Sequence, residues 1–367
     1  MTILRTIGTM SGTSMDGIDV AFLETDGRDD IRPGPTGFTP YGDEDRAILR
    51  AALVEGVGLN TREARPPAVA AAEHMVTARH AEAVEGFLRE HDFARENIDL
   101  VGFHGQTILH RPADRLTIQI GDGASLARAL GIATAFDFRA DDMAEGGQGA
   151  PIVPAFHRAL VGASDLAGPV VLANVGGVAN ITWIDGGRDP VACDTGPGNA
   201  LLDDLMLART GRPIDRHGHT AARGRVDATT LHALLDHAFF ALPPPKSLDR
   251  NTFSAAAVAA LNTEDAAATL TAFTAETIAR SLCLLPAEPK QLIVCGGGAR
   301  NPILVRELVA RAPCHVTTAD AVGWSADAME AQAFGYLAAR THFGLPLTFP
   351  TTTGVAIPTP GGRIATP

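Results

Sequence analysis

The sequence predicts an α/β protein built from two domains, and three observations carry that reading. At 367 residues the chain is long enough for two ordinary domains, each with its own core. Strand-like and helix-like segments alternate along it, the order of an α/β protein. The alternation also begins twice with a pair of strands around a glycine-containing turn, once at the start and again near residue 170. Two α/β domains with a cleft between them fit this better than one parallel doubly wound sheet. The expected boundaries are 1–135 with 345–367 for the first domain and 136–344 for the second.

In the first series, residues 3–9 and 18–24 read as strands on either side of a polar loop. Residues 44–56 and 68–91 have helical spacing, the second with Ala, Val and Leu on one stripe and Glu, Arg and His on the other. Short β-like runs follow at 98–103, 116–120 and 132–136. The second series opens with "PVVLANVGGVANITWID" (169–185), two apolar runs around Gly176-Gly177 that read as a hairpin. A third run ends in "VACDTGPGN" (191–199). Helices are expected near 199–209, 226–237, 264–285 and 325–341, and a last strand, "QLIVC" (291–295), runs into "GGGARNPIL" and a further helix. No fixed-period repeat joins the two halves. Pro243-Pro244-Pro245 is the clearest rigid loop.

Hydrophobic content of 46% and charged content of 20% are those of a globular protein with a packed core. The net charge of −12 argues against nucleic acid or an anionic membrane as partner, because both select basic surfaces. A bound phosphate stays possible, since backbone N–H groups and a metal ion can supply positive potential locally. Cys193, Cys283, Cys295 and Cys314 have neither C-x-x-C nor metal-ligand spacing and read as small hydrophobes in a reducing compartment. No apolar run reaches 18 residues, and the N-terminus lacks the basic and apolar blocks of a secretion signal, so a cytoplasmic protein is expected.

The stretch "GTMSGTSMDGID" (8–19) contains more glycine and hydroxyl groups than a hairpin needs, because Asp16-Gly17 alone would turn the chain. Two further glycine-rich turns, "DTGPGN" (194–199) and "CGGGARN" (295–301), each join a strand to a helix. Glycine lets backbone approach a ligand closely; hydroxyls and N–H groups bind phosphate oxygens, and an Asp can hold Mg²⁺ directly or through water. Ordinary turns capped by Ser and Thr use the same residues, so each loop taken alone has both readings. Asp194 stands at the carboxyl end of a strand, where α/β proteins place their chemistry. With an ordinary pKa it would be ionised at neutral pH and able to take a proton from water or a hydroxyl, while an Asx-turn locking the strand exit is the structural alternative. The P-loop pattern is absent, "GDGASL" (121–126) lacks the third glycine of a dinucleotide fingerprint, and Ser11 sits one place late for a nucleophile elbow. His217 and His219 read as solvated loop residues, not zinc ligands.

Together these motifs resemble those of the anhydro-N-acetylmuramic acid kinases, a branch of the sugar kinase/Hsp70/actin superfamily. The resemblance is carried in order by "IGTMSGTSMDGIDV" (7–20), "FHGQTILH" (103–110), "IQIGDGASLA" (118–127), "DFRADDMAEGGQGAPIVPAFH" (137–157) and "NVGGVANITWI" (174–184). It continues in "DTGPGNALLDDL" (194–205), "PPPKS" (243–247), "VCGGGARNP" (294–302) and "TTADAVGWSADAMEAQAF" (317–334). It implies a two-domain actin-like (ribonuclease H-like) fold with ATP in the cleft, Mg²⁺ and a homodimer. Gly12, Thr13, Ser14, Met15, Asp16, Gly17, Ile18 and Asp19 would form the phosphate loop, with Asp16 toward the metal. Gly176, Gly177, Gly296, Gly297 and Gly298 would complete the nucleotide site. Asp194 matches the catalytic aspartate, and His104, Gln106, Thr107, Arg139 and Glu330, with Asp194, match the sugar pocket.

The activity this implies is ATP-dependent opening of 1,6-anhydro-N-acetylmuramic acid with phosphorylation of O6, in peptidoglycan recycling. Two departures bear on the sugar site: "DFRADD" offers Arg139 as its only cation, and "LDRNTFS" (248–254) stands where the family has TGRE-x-FN, without its glycine and acidic residue. A kinase for an ordinary sugar hydroxyl is the alternative within enzymes, and a nucleotide-dependent sugar sensor is the alternative outside them. A sensor would have no use for a base at Asp194.

Overall fold

The computed structural model describes residues 2–12 and 14–367. It divides into two compact units, Met1–Asp165 with Ala328–Pro367 and Leu166–Asp327. Residues 136–165 and 328–344 therefore fall in the first unit, where the sequence reading had placed them in the second.

The first unit contains β1 (Leu4–Met10), β2 (Gly17–Thr25), β3 (Ile31–Pro40), α1 (Asp43–Gly56), α2 (Pro67–Glu90), β4 (Leu100–Phe103), β5 (Gln106–Arg111) and β6 (Leu116–Ile120). It continues through α3 (Gly123–Leu130), β7 (Thr134–Phe136), α4 (Ala140–Ala144) and α5 (Pro154–Gly162). The second unit holds β8 (Val170–Val175), β9 (Val178–Ile184), β10 (Val191–Pro197), α6 (Ala200–Thr210), α7 (Ala228–Leu235), α8 (Thr263–Leu282), β11 (Gln291–Cys295), α9 (Pro302–Arg311) and β12 (His315–Thr318). The chain then returns to the first unit with α10 (Met329–His342), α11 (Pro350–Thr353) and β13 (Arg363–Ala365).

Each unit is organised around one mixed sheet. The first has the order β13-β7-β4-β1-β2-β3, with β1–β2 and β2–β3 antiparallel and β1–β4 and β4–β7 parallel. The second has the order β10-β9-β8-β11-β12, with the same two antiparallel pairs followed by two parallel pairs. Apart from β13, which adds antiparallel to β7 as a sixth strand of the first sheet, and with the β5–β6 hairpin left out of the count, both sheets share the order 3-2-1-4-5, so the repetition read from the sequence is a repeated topology. β5 and β6 form a separate hairpin.

Alternation along β1 and β2 explains the layering of the first unit. Ile7, Val20 and Phe22 face a core completed by Val69, Val76, Val84 and Phe87 of α2, whose apolar residues recur at helical spacing. On the other face α10 lies directly against the sheet. A Cβ at Gly8 would run into the Ala331 carbonyl and Gly335 N, and one at Gly102 into the Phe334 carbonyl. That contact is what joins 328–344 to the first unit. In the second unit α8, rich in Ala and Thr, is buried along nearly its whole length. Its Thr274 hydroxyl donates to the carbonyls of Pro197 and Gly198 at 3.0 Å, holding the exit of β10.

β3 was not anticipated, because "IRPGPTGFTP" carries three prolines and two glycines and reads as loop. It is an edge strand, where a missing N–H is tolerated. α3 was hidden in "GDGASL": Asp122 caps it, accepting from Ala124 N at 3.0 Å and Ser125 N at 3.1 Å.

Candidate active site

In the first unit the candidate phosphate loop spans the turn from β1 to β2, whose pairing ends at Met10 and Asp19. Met15 N donates to the Gly12 carbonyl at 3.2 Å, and Met15 takes a left-handed φ of 54° while packing its side chain against the core. Ser14 Oγ donates to Asp16 Oδ1 at 2.7 Å, and both residues are exposed. Gly17 is required by the sheet itself, since a Cβ would meet the Thr39 carbonyl and the Phe38 ring. Ile18 is fully buried and points into the core, and Asp19 is half-buried. Thr13 lies outside the described residues.

Gly12 differs from Gly17. Among the described residues, and its chain neighbours apart, a Cβ there would come no nearer than 3.7 Å to any atom, and its φ is not left-handed. Neither packing nor conformation demands a glycine, whose flexibility costs roughly 0.5–1 kcal/mol in regular structure. Gly176 and Gly297 in the second unit share this property, each with its nearest atom at 3.7 Å. Open cradles of this kind fit phosphate or sugar oxygens approaching main chain. By contrast Gly296 takes φ 71° and would strike Asn174 Oδ1, while Gly298 packs on Val175, so these two shape the turn. Gly177 accepts from Gly198 N at 2.9 Å and seats its hairpin on the start of α6.

The candidate sugar residues of the first unit form a hydrogen-bonded group. His104 Nδ1 donates to the Gly105 carbonyl at 2.8 Å, which makes Nε2 the acceptor facing Gln119 Nε2 at 2.9 Å and Arg139 Nη2 at 3.3 Å. Burial, reinforced by the Arg139 charge, pushes His104 down to about 3, so the ring is neutral. Arg139 also donates Nη1 to the Gly149 carbonyl at 2.7 Å, and its Nε–H has no partner among the described residues. Burial pulls the guanidinium below its ordinary value, with the Glu330 and Asp142 carboxylates acting against it. Glu330 lies in the first turn of α10, and Thr107 Oγ1 accepts from Gln119 Nε2 at 3.3 Å. Gln119 was not among the expected site residues, although "IQIGDG" contains it; its role is visible only through these bonds.

In the second unit Asp194 sits where β10 departs from regular pairing with β9, between Asp194 and Gly196. Residues 246–248 grip it from outside the sheet: Asp194 N donates to the Lys246 carbonyl at 2.9 Å, and Leu248 N donates to Asp194 Oδ2 at 2.8 Å. Lys246 is buried, donates Nζ to the Phe239 carbonyl at 3.0 Å and lies over the Phe239 ring. Burial pushes the Asp194 carboxyl up to about 7, while the Leu248 N–H and the Lys246 charge pull the other way. This corrects the expectation of an ordinary carboxylate: the group is poised at neutrality, where a general base is most effective. The departure "LDRNTFS" is also explained in part, because Leu248 touches Asp194 through main chain, whatever its side chain. His217 and His219 are exposed. Among the described residues no group of three or more His, Cys, Asp or Glu is placed to hold a metal.

Two sheets that share a 3-2-1-4-5 strand order, with glycine-rich turns at their strand ends, define a protein of the actin-like, two-domain ATPase class. The same fold is found in component A of the (R)-2-hydroxyglutaryl-CoA dehydratase of Acidaminococcus fermentans, at 10% identity and a TM-score of 0.51, over 92% of this chain and 98% of that one. The family profile of anhydro-N-acetylmuramic acid kinase matches residues 4–366, and the chain belongs to that family. It is 58% identical over 365 residues to the anhydro-N-acetylmuramic acid kinase of Rhodopseudomonas palustris strain BisB18, covering 99% of this chain and all of that one. It is 57% identical over 368 residues to the enzyme of the same name from Nitrobacter winogradskyi, with both chains covered in full.

Proposed function

We propose that this chain is an ATP-dependent kinase that opens the 1,6-anhydro bond of 1,6-anhydro-N-acetylmuramic acid with water and phosphorylates O6, giving N-acetylmuramic acid 6-phosphate for peptidoglycan recycling. The observation that carries it is Asp194: a half-buried carboxylate with a proton affinity near neutrality, held by main chain at a strand end. In this reading Asp194 takes a proton from water as its oxygen attacks the anomeric carbon from the face opposite the bridge, as in inverting glycoside hydrolysis. The C1–O6 bond breaks, and O6 forms its new bond to the γ-phosphorus as the bond to ADP breaks. O6 needs no acid to protonate it, so one carboxylate suffices where a glycosidase uses two.

The 12–19 loop would hold the phosphates, Gly12 leaving room for an oxygen against the main chain, with Gly176 and Gly297 open in the same way toward the nucleotide. Asp16, exposed beside Ser14, would hold Mg²⁺ through water; the ion supplies charge neutralisation to the transferred phosphoryl group. Arg139 would face the sugar's lactyl carboxylate, with His104, Thr107 and Glu330 around the ring. A cytoplasmic homodimer belongs to the same reading; light scattering on the purified protein tests the dimer. No helix among the described residues is long and apolar enough to cross a membrane.

The decisive experiment is an ATP-coupled assay with the anhydro-sugar, N-acetylmuramic acid and glucose, run in ¹⁸O-labelled water with the product read by NMR. ADP release with the anhydro-sugar alone, and label at the anomeric carbon, is the expected result. Turnover of the open sugars alone would replace the mechanism with plain hydroxyl phosphorylation, and no turnover would favour the sensor.

A further inference from the structure

Gln106 stands between His104 and Thr107, which makes a sugar contact the natural assignment. Its side chain is 2% exposed, and both ends of its amide are engaged with the loop after β1. Nε2 donates to the Gly12 carbonyl at 2.9 Å, and Oε1 accepts from Ser11 Oγ at 2.5 Å. A carbonyl can only accept, so the end facing Gly12 is the nitrogen and the other end the oxygen. The Gly12 carbonyl is the same one that receives Met15 N, so Gln106 bonds to the group that closes the turn. Ser11, itself 1% exposed, also lies 3.4 Å from the Gly105 carbonyl. Removing the amide would leave buried polar partners unpaired and free the turn to explore other conformations.

We propose that Gln106 is a positioning residue for the phosphate loop, tying the Ser11–Gly12 turn to the strand segment that carries His104 and Thr107, so that occupancy of the sugar residues and order in the loop favour each other. The coupling rests on the kinase reading above; the tie itself rests on the two hydrogen bonds that the Gln106 amide makes with Ser11 and Gly12. Because coupling is reciprocal, sugar bound first should tighten the nucleotide, and nucleotide bound first should tighten the sugar by the same factor.

The test uses the full chain carrying Gln106→Met, which keeps length and burial but has no amide. Three quantities are compared with the wild type: affinity for the anhydro-sugar without nucleotide, KM for ATP with kcat, and hydrogen exchange of the peptide carrying the Ser14–Gly17 amides without ligand. The expected result is sugar affinity within about twofold, KM for ATP raised about tenfold, and faster exchange at the loop. Sugar affinity reduced about tenfold with ATP kinetics unchanged would make Gln106 a sugar contact and overturn the proposal. Ser11→Ala removes one tie from the loop side; it should raise KM for ATP in the same direction and combine with Gln106→Met non-additively. It also decides the matter if Gln106→Met does not fold. Unchanged exchange in the folded variants overturns the tie. A wild type that binds no anhydro-sugar would sink the kinase reading, while the exchange measurement would still decide the tie.

Discussion

Asp194→Asn separates the proposed base from a structural aspartate, because the two roles predict opposite effects on stability. Burial moves the carboxyl from its ordinary 3.8 up to about 7, so the folded state holds a proton that the unfolded state has released. Wild-type stability therefore falls as pH rises from about 4 to about 7 and is level above that. Between pH 5 and pH 7 the loss is about 2 kcal/mol if the site stays dry, at ~1.4 kcal/mol per tenfold change in proton affinity. Water at the half-buried carboxylate screens this to about 1 kcal/mol. Asparagine has no charge to bury, and its carbonyl can still accept from Leu248 N. The variant should thus gain on the wild type by about 1 kcal/mol between pH 5 and pH 8.

The readout is selective for the right unit. The chain has two tryptophans, Trp183 and Trp324, both within Leu166–Asp327, and Trp183 pairs across the sheet with Val191 of β10. Urea unfolding followed by tryptophan fluorescence at pH 5 and pH 8 therefore reports the unit that holds Asp194. The same variant should lose turnover while keeping ATP affinity. A stability difference equal at both pH values would refute the argument from burial, and turnover within about tenfold of the wild type, ~1.4 kcal/mol of barrier, would refute the role as base.

The wild-type kcat/KM should rise with unit slope and level off above a pKa raised by burial of Asp194 from the ordinary carboxylate range toward 7, and the neutral His104 at about 3 should add no second limb near 6.5; a profile flat from pH 5 to 8 contradicts this. Gly12→Ala meets no atom within 3.7 Å, so its thermal stability should hold or rise by up to about 1 kcal/mol while KM for ATP increases; a melting temperature lowered by several degrees would show a structural glycine instead. Gly8→Ala, whose Cβ would run into α10, should destabilise the first unit by about 3 kcal/mol or fail to fold, as calorimetry would show. Asp16→Ala should raise the Mg²⁺ concentration needed for half-maximal activity; an unchanged Mg²⁺ titration removes Asp16 from the metal site.

Several features were legible in the sequence because they depend on neighbours along the chain. Alternating β1 and β2, the helical stripe of α2 and the hairpin at Gly176-Gly177 follow from periodicity and turn chemistry within a few residues. The order of the motifs, from "GTSMDG" to "CGGGARN", was enough for the family. Long-range packing decided the rest. Sequence could not tell that Gly8 and Gly102 clear a path for a helix more than two hundred residues later, the packing that puts residues 328–344 in the first unit. Nor could it show that Gly12 lies against open space and Gly17 against Phe38, two glycines of one loop kept for different reasons. The proton affinity of Asp194 and the engagement of Gln106 belong to the same kind: each is set by desolvation and by partners about 50 to 95 residues away, and local pattern carries no record of them.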